Sequence, residues 1–387
     1  MFAVGRKELL DACALASKSV KSGNTTMPVL QAFRLESGVC EAGGYLEVTG
    51  NDLQTSTAVN IRGGVVVPGD QAELGPRDAA CVKADVLVRL LRESADDEVE
   101  ARYNKDRTLL RVSCGRCRMD LATFDPASFP EMPVSTDGAA TWTFPRADLL
   151  AALDRAYVAA ADEELTRKDM GRLAVQAVLF AGETFVGCDN YRVCVQKVAA
   201  AKTGEGKPAL VHHRDVAAMA NLLKSSGEPF ADLIVDPNQV TLAVGRNRIT
   251  CRVLAGMYPP WERAIPKNLP WETRFNVADL RRVISQGSLA CDAEAISAEF
   301  AFADGTLTVR SASANKGYAE ASAGGEIPPA MKLVIRLQPS SVQEMLRTLP
   351  DKDSVSLRFG GPLDKVAMAV PNGTYYVTPM HKKDPAT

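Results

Sequence analysis

Leu109-Leu110-Arg111-Val112-Ser113-Cys114-Gly115-Arg116-Cys117-Arg118-Met119 is a run of alternating apolar residues broken at a glycine, the local pattern of a β-hairpin. The pattern returns at Val240-Thr241-Leu242-Ala243-Val244-Gly245-Arg246-Asn247-Arg248-Ile249. It returns again at Val355-Ser356-Leu357-Arg358-Phe359-Gly360-Gly361, followed by Val366-Ala367-Met368-Ala369-Val370. Gly115, Gly245 and Gly360 are spaced at close to a third of the 387 residues, so the chain reads as a threefold repeat.

A helix precedes each hairpin. Apolar residues recur at i, i+3 and i+4 over 83–91, 216–223 and 341–346, leaving Lys83, Arg89, Arg92, Arg214, Lys224 and Arg347 on or near the polar faces. Proline-rich connectors at 125–133 and 258–266 reset the pattern, and each is followed by a fresh helix, over 146–160 and 277–285. Three similar domains follow, at 1–127, 128–261 and 262–387. Strands outnumber helices and alternate with a period of two, which predicts antiparallel sheets with helices on one face, an α+β class.

Composition sets the outer limits. The chain is 46% hydrophobic and 24% charged, with a formal net charge of −2, so nothing global points to nucleic acid and any DNA-facing surface must be a local concentration of Lys and Arg. No apolar run approaches the ~18 residues that would cross a bilayer, and residues 1–7 lack the apolar stretch of a secretory signal. A cytoplasmic protein with no membrane association is expected. Nine scattered cysteines then read as reduced thiols, mostly small buried hydrophobes.

Enzymatic chemistry finds little support. Cys114-Gly115-Arg116-Cys117 has the C-x-x-C spacing of a redox pair or half a zinc site, but no second pair exists and it straddles a hairpin turn. His212, His213 and His381 show no triad spacing, and no glycine-rich phosphate loop is present. No catalytic residue, metal site or cofactor is expected.

The order and spacing of several short motifs resemble the β sliding clamp of bacterial DNA polymerase III along essentially the whole chain. Thr26-Met27-Pro28-Val29-Leu30 is similar to that family's Thr-Leu-Pro-Ile-Leu, and Val48-Thr49-Gly50-Asn51-Asp52-Leu53 to its Leu-Thr-Gly-Thr-Asp-Leu. Phe129-Pro130 stands in its first linker, and Cys188-Asp189-Asn190-Tyr191-Arg192-Val193 where it has Thr-Asp-Gly-His-Arg-Leu. Tyr258-Pro259-Pro260-Trp261-Glu262-Arg263 replaces Phe-Pro-Asp-Tyr-Arg-Arg, and Val377-Thr378-Pro379-Met380 is close to its terminal Val-Met-Pro-Met.

The resemblance implies the DNA-clamp fold. Two chains of three domains form a head-to-tail ring, with sheets outside and helices lining a channel that encircles duplex DNA without reading its sequence. It implies a non-catalytic processivity factor in DNA replication and repair. The channel cations would be Lys18, Lys21, Lys83, Arg89, Arg92, Arg146, Arg155, Arg214, Lys224, Arg281, Arg282 and Arg347. The family's DNA-contacting arginine appears here as Asn24, so that contact is either lost or moved to Lys21.

The resemblance also implies a pocket between the second and third domains for short peptides of the polymerase III catalytic subunit, the clamp loader and repair polymerases. Its residues would be Val175, Cys188, Asn190, Tyr191, Arg192, Val193, Pro259, Arg263, Ala264, Leu363, Tyr376, Val377, Thr378, Pro379 and Met380, with the two arginines fixing the peptide's polar ends. Asn190, Tyr191 and Thr378 depart from the family's glycine, histidine and methionine, and residues 381–387 extend past its usual end. Those departures leave open a duplicate, phage- or plasmid-borne clamp with altered partners, for example one conferring antibiotic resistance. A metal-dependent or redox enzyme is the more distant alternative.

Overall fold

The computed structural model describes residues 2–67, 75–131, 139–160, 176–293 and 296–380. They form two compact units, one made of 1–146, 201–207 and 218–253, the other of 147–200, 208–217 and 254–387. Among the described residues every strand pairing within the sheets is antiparallel, as the period-two alternation predicts.

The first unit holds one continuous sheet. It starts with β1 (Phe2–Gly5), β6 (Glu98–Tyr103), β7 (Leu109–Cys114), β8 (Cys117–Phe124), β5 (Gly75–Lys83), β2 (Ala32–Cys40), β3 (Gly43–Asn51) and β4 (Thr55–Arg62). It continues through β17 (Asn247–Arg252), β16 (Gln239–Val244), β15 (Phe230–Val235), β9 (Ala140–Pro145) and β13 (Ala201–Thr203). The join between the first two thirds of the chain is the β4–β17 pairing, with Ala58 opposite Arg248 and Ser56 opposite Thr250.

The second unit holds two sheets. The larger runs β14 (Ala209–His212), β10 (Ala177–Ala181), β11 (Thr184–Cys188), β12 (Arg192–Lys197), β25 (Gly373–Val377), β24 (Val366–Val370), β23 (Ser354–Phe359), β18 (Trp271–Asn276). The smaller runs β21 (Gly317–Gly324), β20 (Thr306–Ser313), β19 (Ala298–Ala303), β22 (Leu333–Leu337). Here β12–β25 joins the middle and last thirds, with Val193 opposite Tyr376.

Among the described residues there are six helices, α1 (Arg6–Ala16), α2 (Ala84–Glu93), α3 (Arg146–Ala159), α4 (His213–Ser225), α5 (Val277–Gly287) and α6 (Pro339–Leu346), and all but α1 sit where the apolar spacing puts them. Their buried stripes are the i, i+3, i+4 residues, for example Leu87, Leu90 and Leu91 of α2 and Val277, Leu280, Val283 and Ile284 of α5. Burying each such side chain stabilises the fold by about 1.5–3 kcal/mol. No helix among the described residues is long and apolar enough to cross a membrane. The cysteines are free thiols, six of them buried.

The first two hairpins turn at Gly115 and Gly245 as read, whereas the third carries a longer loop over 360–365. The first connector is anchored rather than loose: Phe129 is buried with Val29, Ala32 and Cys81, and the Asn51 side chain donates to the Pro130 carbonyl (2.8 Å).

Two devices recur from repeat to repeat. The first is an arginine that donates to the carbonyls ending a second helix. Arg6 donates to Leu91 (3.1 Å) and Asp96 (2.8 Å), Arg146 to Leu223 (2.9 Å) and Glu228 (2.6 Å), and Arg281 to Leu346 (3.1 Å) and Leu349 (2.7 Å). The Leu91, Leu223 and Leu346 carbonyls lie in the last turn of their helices, where no amide of the same helix reaches them, while Asp96, Glu228 and Leu349 stand three residues beyond each end; a cation is favoured at that end of the helix dipole. The second device is a helix lying on a strand with no room for a side chain. A Cβ on Gly187 of β11 would stand 1.8 Å from the Ala156 carbonyl of α3, and one on Gly287 of α5 would stand 2.4 Å from the Val309 carbonyl of β20.

Gly187→Ala forces α3 off the sheet, with an expected loss of about 1–3 kcal/mol in urea denaturation. Arg281→Ala leaves several carbonyls unsatisfied and should lose about 1.5–3 kcal/mol. Its neighbour Arg282 is exposed and paired with Asp279, so Arg282→Ala should change stability by less than about 0.5 kcal/mol. Equal losses for the two arginine variants would contradict the latch.

Candidate partner cleft and nucleic-acid interface

The second unit carries an apolar cluster on one face of its larger sheet. Val186 and Cys188 of β11 and Val193 and Val195 of β12 are its buried members. Leu179, Tyr376 and the segment containing Tyr258, Trp261, Ala264 and Ile265 pack over them. Tyr258 is tied down by its hydroxyl, which donates to the Val186 carbonyl (2.9 Å). Burial pushes the Cys188 thiol upward, an effect partly offset by the Tyr258 hydroxyl and the Lys365 ammonium.

Most of the residues expected in the partner pocket gather at this cluster or its rim. Cys188 and Val193 form the floor, and Tyr376 and Ala264 cover it. Pro259 is half-buried and Arg263 exposed in the same covering segment. Asn190 and Tyr191 (51% exposed) stand on the β11–β12 turn, and Leu363 (65% exposed) on the β23–β24 loop. Thr378 and Met380 are half-buried and Pro379 buried beyond β25, with the Thr378 amide extending the ladder to the Tyr191 carbonyl (2.8 Å). Val175 and residues 381–387, including His381, lie outside the described residues.

Two of the expected pocket residues do other work. Arg192 is not placed to fix a peptide's end: its side chain is nearly buried and donates to Asp189 (2.7 Å) and Glu344 (2.5 Å), bracing the turn against α6. Val377 packs into the main core with Val366 and Met368, because alternation along β25 sends it to the face opposite Tyr376. Sequence reasoning missed Trp261, Tyr258 and Lys365. The first two lie in the connector whose Pro259, Arg263 and Ala264 were assigned to the pocket, but were themselves read only as part of its motif. Lys365 is half-buried, and burial pulls its ammonium below the usual lysine range.

The basic residues separate into three groups. Lys18, Lys21, Lys83, Arg89, Arg92, Arg214, Lys224, Arg282 and Arg347 are exposed. Lys21 and Lys83 line one cavity of about 540 Å³ with Asn24 and Gln31, beside the start of α2. Lys18 and Lys224 share a groove of about 770 Å³ with Arg62, Asn60 and Asn247, which also holds Glu8 and Asp11. Arg146 and Arg281 are half-buried and committed to the helix-end carbonyls described above.

Arg155 overturns its assignment to a channel. It is 6% exposed and donates to the Pro371 carbonyl (2.9 Å) and Gln196 (3.3 Å), so its guanidinium is committed inside the fold. Its helix position matches that of an exposed cation; only the packing of α3 against the sheet distinguishes the two.

No family model matches the chain. The beta sliding clamp of Caulobacter vibrioides is 26% identical over 256 residues, covering 65% of this chain and 64% of that protein. The chain thus matches slightly less than two thirds of that relative's length. The beta sliding clamp of Proteus mirabilis is 25% identical over 293 residues, 74% of each chain. Among solved structures, the DNA polymerase III beta subunit of Thermotoga maritima superposes with a TM-score of 0.80 at 19% identity, covering 98% of this chain and 100% of that one. The chain is therefore similar in sequence to β sliding clamps and has the β sliding clamp fold.

Proposed function

We propose that this protein is a DNA sliding clamp, a non-catalytic cytoplasmic processivity factor that encircles duplex DNA and tethers a replicative polymerase. The observation that carries the proposal is the clamp fold over 98% of the chain together with curated relatives that are beta sliding clamps. Its domains are 1–127, 128–261 and 262–387, and two chains close head to tail. The exposed lysines and arginines hold phosphates loosely through counterion release, so sequence is not read. The cleft over Cys188 and Val193 takes short peptides of the polymerase III catalytic subunit, the clamp loader and repair polymerases. Such a peptide binds near micromolar, about 8 kcal/mol, weakly enough for partners to exchange.

Two strand edges supply a means of closure. β21 pairs with β20 on one side only, and β8 meets β5 only through Thr123 and Phe124, leaving 117–122 bonded to β7 alone among the described residues. Exposed Leu289 (69% exposed) lies beside the β20–β21 turn, where Lys316 donates to the Cys291 carbonyl (2.5 Å). β21 of one copy against β8 of the next makes a heterologous contact that, used twice, closes a two-subunit ring.

Sedimentation should give twice the 41.5 kDa chain mass. Leu289→Asp should give monomers with unchanged circular dichroism, because the contact would bury a carboxylate. A wild-type monomer at micromolar concentration would sink the ring. Protein loaded on a nicked circular plasmid should resist salt and be released when the plasmid is linearised.

The altered rim at Asn190, Tyr191 and Thr378 favours one second reading, a duplicate clamp with changed partners. Titration of a replicative polymerase's clamp-binding peptide separates the two. Binding near micromolar supports the replicative role, and none at roughly hundreds of micromolar, with the ring intact, supports the duplicate.

A further inference from the structure

Cys114-Gly115-Arg116-Cys117 is a motif that the clamp function leaves without a task. In the structure it is the tip of the β7–β8 hairpin, with Cys114 directly opposite Cys117 across a two-residue turn. Gly115 takes the positive φ (56°) that such a turn requires. Residues opposed in this way have Cα atoms about 4.5–5.5 Å apart, inside the roughly 4.4–6.8 Å that a disulfide spans. Alternation also puts both thiols on one side of the ribbon. Leu110 and Leu121 are opposed and buried, so Val112 and Met119, then Cys114 and Cys117, follow on the same face. No other two cysteines stand opposite each other in a ladder among the described residues.

The hairpin itself does not call for the pair. The same two-residue turn sets Val244 opposite Asn247 in β16–β17 and Val370 opposite Gly373 in β24–β25. Cys114 fills a slot that valine fills in those turns, buried and with its thiol donating to the Asp96 carbonyl (3.3 Å). Cys117 is what sets this hairpin apart, and it is exposed. The strands differ too. β17 and β25 are flanked on their outer sides by β4 and β12, whereas 117–122 is bonded to β7 alone among the described residues. A strand held on one side opens from its end, and a covalent bond at that end removes the open conformations.

We propose that Cys114 and Cys117 are a reversible dithiol–disulfide site that pins the edge strand β8, oxidised by a low-molecular-weight disulfide. The exposed Cys117 sulfur attacks that disulfide as a thiolate, forming a mixed disulfide and releasing one thiol. The Cys114 sulfur then attacks the Cys117 sulfur and expels the second thiol. One small disulfide thus becomes two thiols, taking up the two electrons and two protons that the cysteines lose. Where small thiols are kept reduced, the pair rests as the dithiol. The linkage depends on the hairpin alone. Its consequence for assembly rests on the ring reading, in which β21 of the next copy covers β8 and Cys117 is reached only when that edge is open.

The test incubates the full native chain and its Leu289→Asp variant with glutathione disulfide, traps the remaining thiols by alkylation and digests with trypsin. Trypsin cleaves after Arg116, so the linkage joins 112–116 to 117–118, peptides that are separate in the reduced chain. In Leu289→Asp this linkage should dominate over every other cysteine pair and reverse with excess reduced glutathione. Cys114→Ser should stop at a glutathione adduct on Cys117, and Cys117→Ser should leave Cys114 unmodified, with circular dichroism confirming that each variant is folded. Amide hydrogen exchange over 113–122 in Leu289→Asp should slow about tenfold on oxidation. A glutathione adduct that persists on Cys117 while Cys114 is intact, or a linkage that forms only in denaturant, overturns the proposal. Unchanged exchange after the linkage has formed overturns the pinning. The native chain should form the linkage more slowly than Leu289→Asp; equal rates count against the ring contact at β8 and leave the disulfide site standing.

Discussion

A guanidinium that closes the carbonyl end of a neighbouring helix is the contact on which the repeated architecture depends. Each repeat brings two helices together over a sheet, and the end of the second would otherwise leave several carbonyls without partners. Arginine suits the position because its planar fork carries several donors and keeps its charge when partly buried. Arg6 and Arg146 open their helices, whereas Arg281 lies one turn inside α5, yet all three reach the equivalent carbonyls. The target is the same while the sequence position differs. A comparison of the three repeats by aligned residues alone would miss it.

The helices and hairpins were legible because their signals are local. Apolar residues spaced by three and four mark α2, α4 and α6, and a glycine between alternating strands marks β7–β8 and β16–β17. Sheet continuity was not legible, since β4–β17 and β12–β25 unite residues far apart in the chain. Charge was the least legible property of all. Arg155, Arg281 and Arg282 occupy similar helical settings, but one is buried, one is latched to carbonyls and one is exposed. Burial depends on what the sheet places opposite each helix face, and no spacing rule along the helix contains that information.

The cleft shows the same division. Resemblance located the β11–β12 turn, the 258–266 segment and the end of β25, and these come together around Cys188 and Val193. It could not tell which side of β25 faces the floor, and adjacent residues Tyr376 and Val377 go to opposite faces. Nor could it tell that Arg192 is spent on Asp189 and Glu344. That pairing has a consequence for binding. Breaking a nearly buried ion pair to greet a peptide would leave a charge without its partner, which is strongly unfavourable. On the proposed reading of the cleft as a peptide site, polar recognition therefore falls to groups that are not already paired inside the fold.

A net charge of −2 fits a clamp better than a strongly basic chain would. A protein that is retained topologically needs only enough attraction to keep duplex centred, and each additional tight phosphate contact would slow sliding. The exposed cations here are interspersed with acids: Glu8 and Asp11 share the groove of Lys18 and Lys224, and Asp85 lines the cavity of Lys21 and Lys83. Each acid lowers the local potential felt by a phosphate, and at physiological salt the remaining attraction is screened within about 8 Å. Contacts of that kind form and break without a large barrier, which is what the proposed clamp role requires of a surface that duplex must slide past.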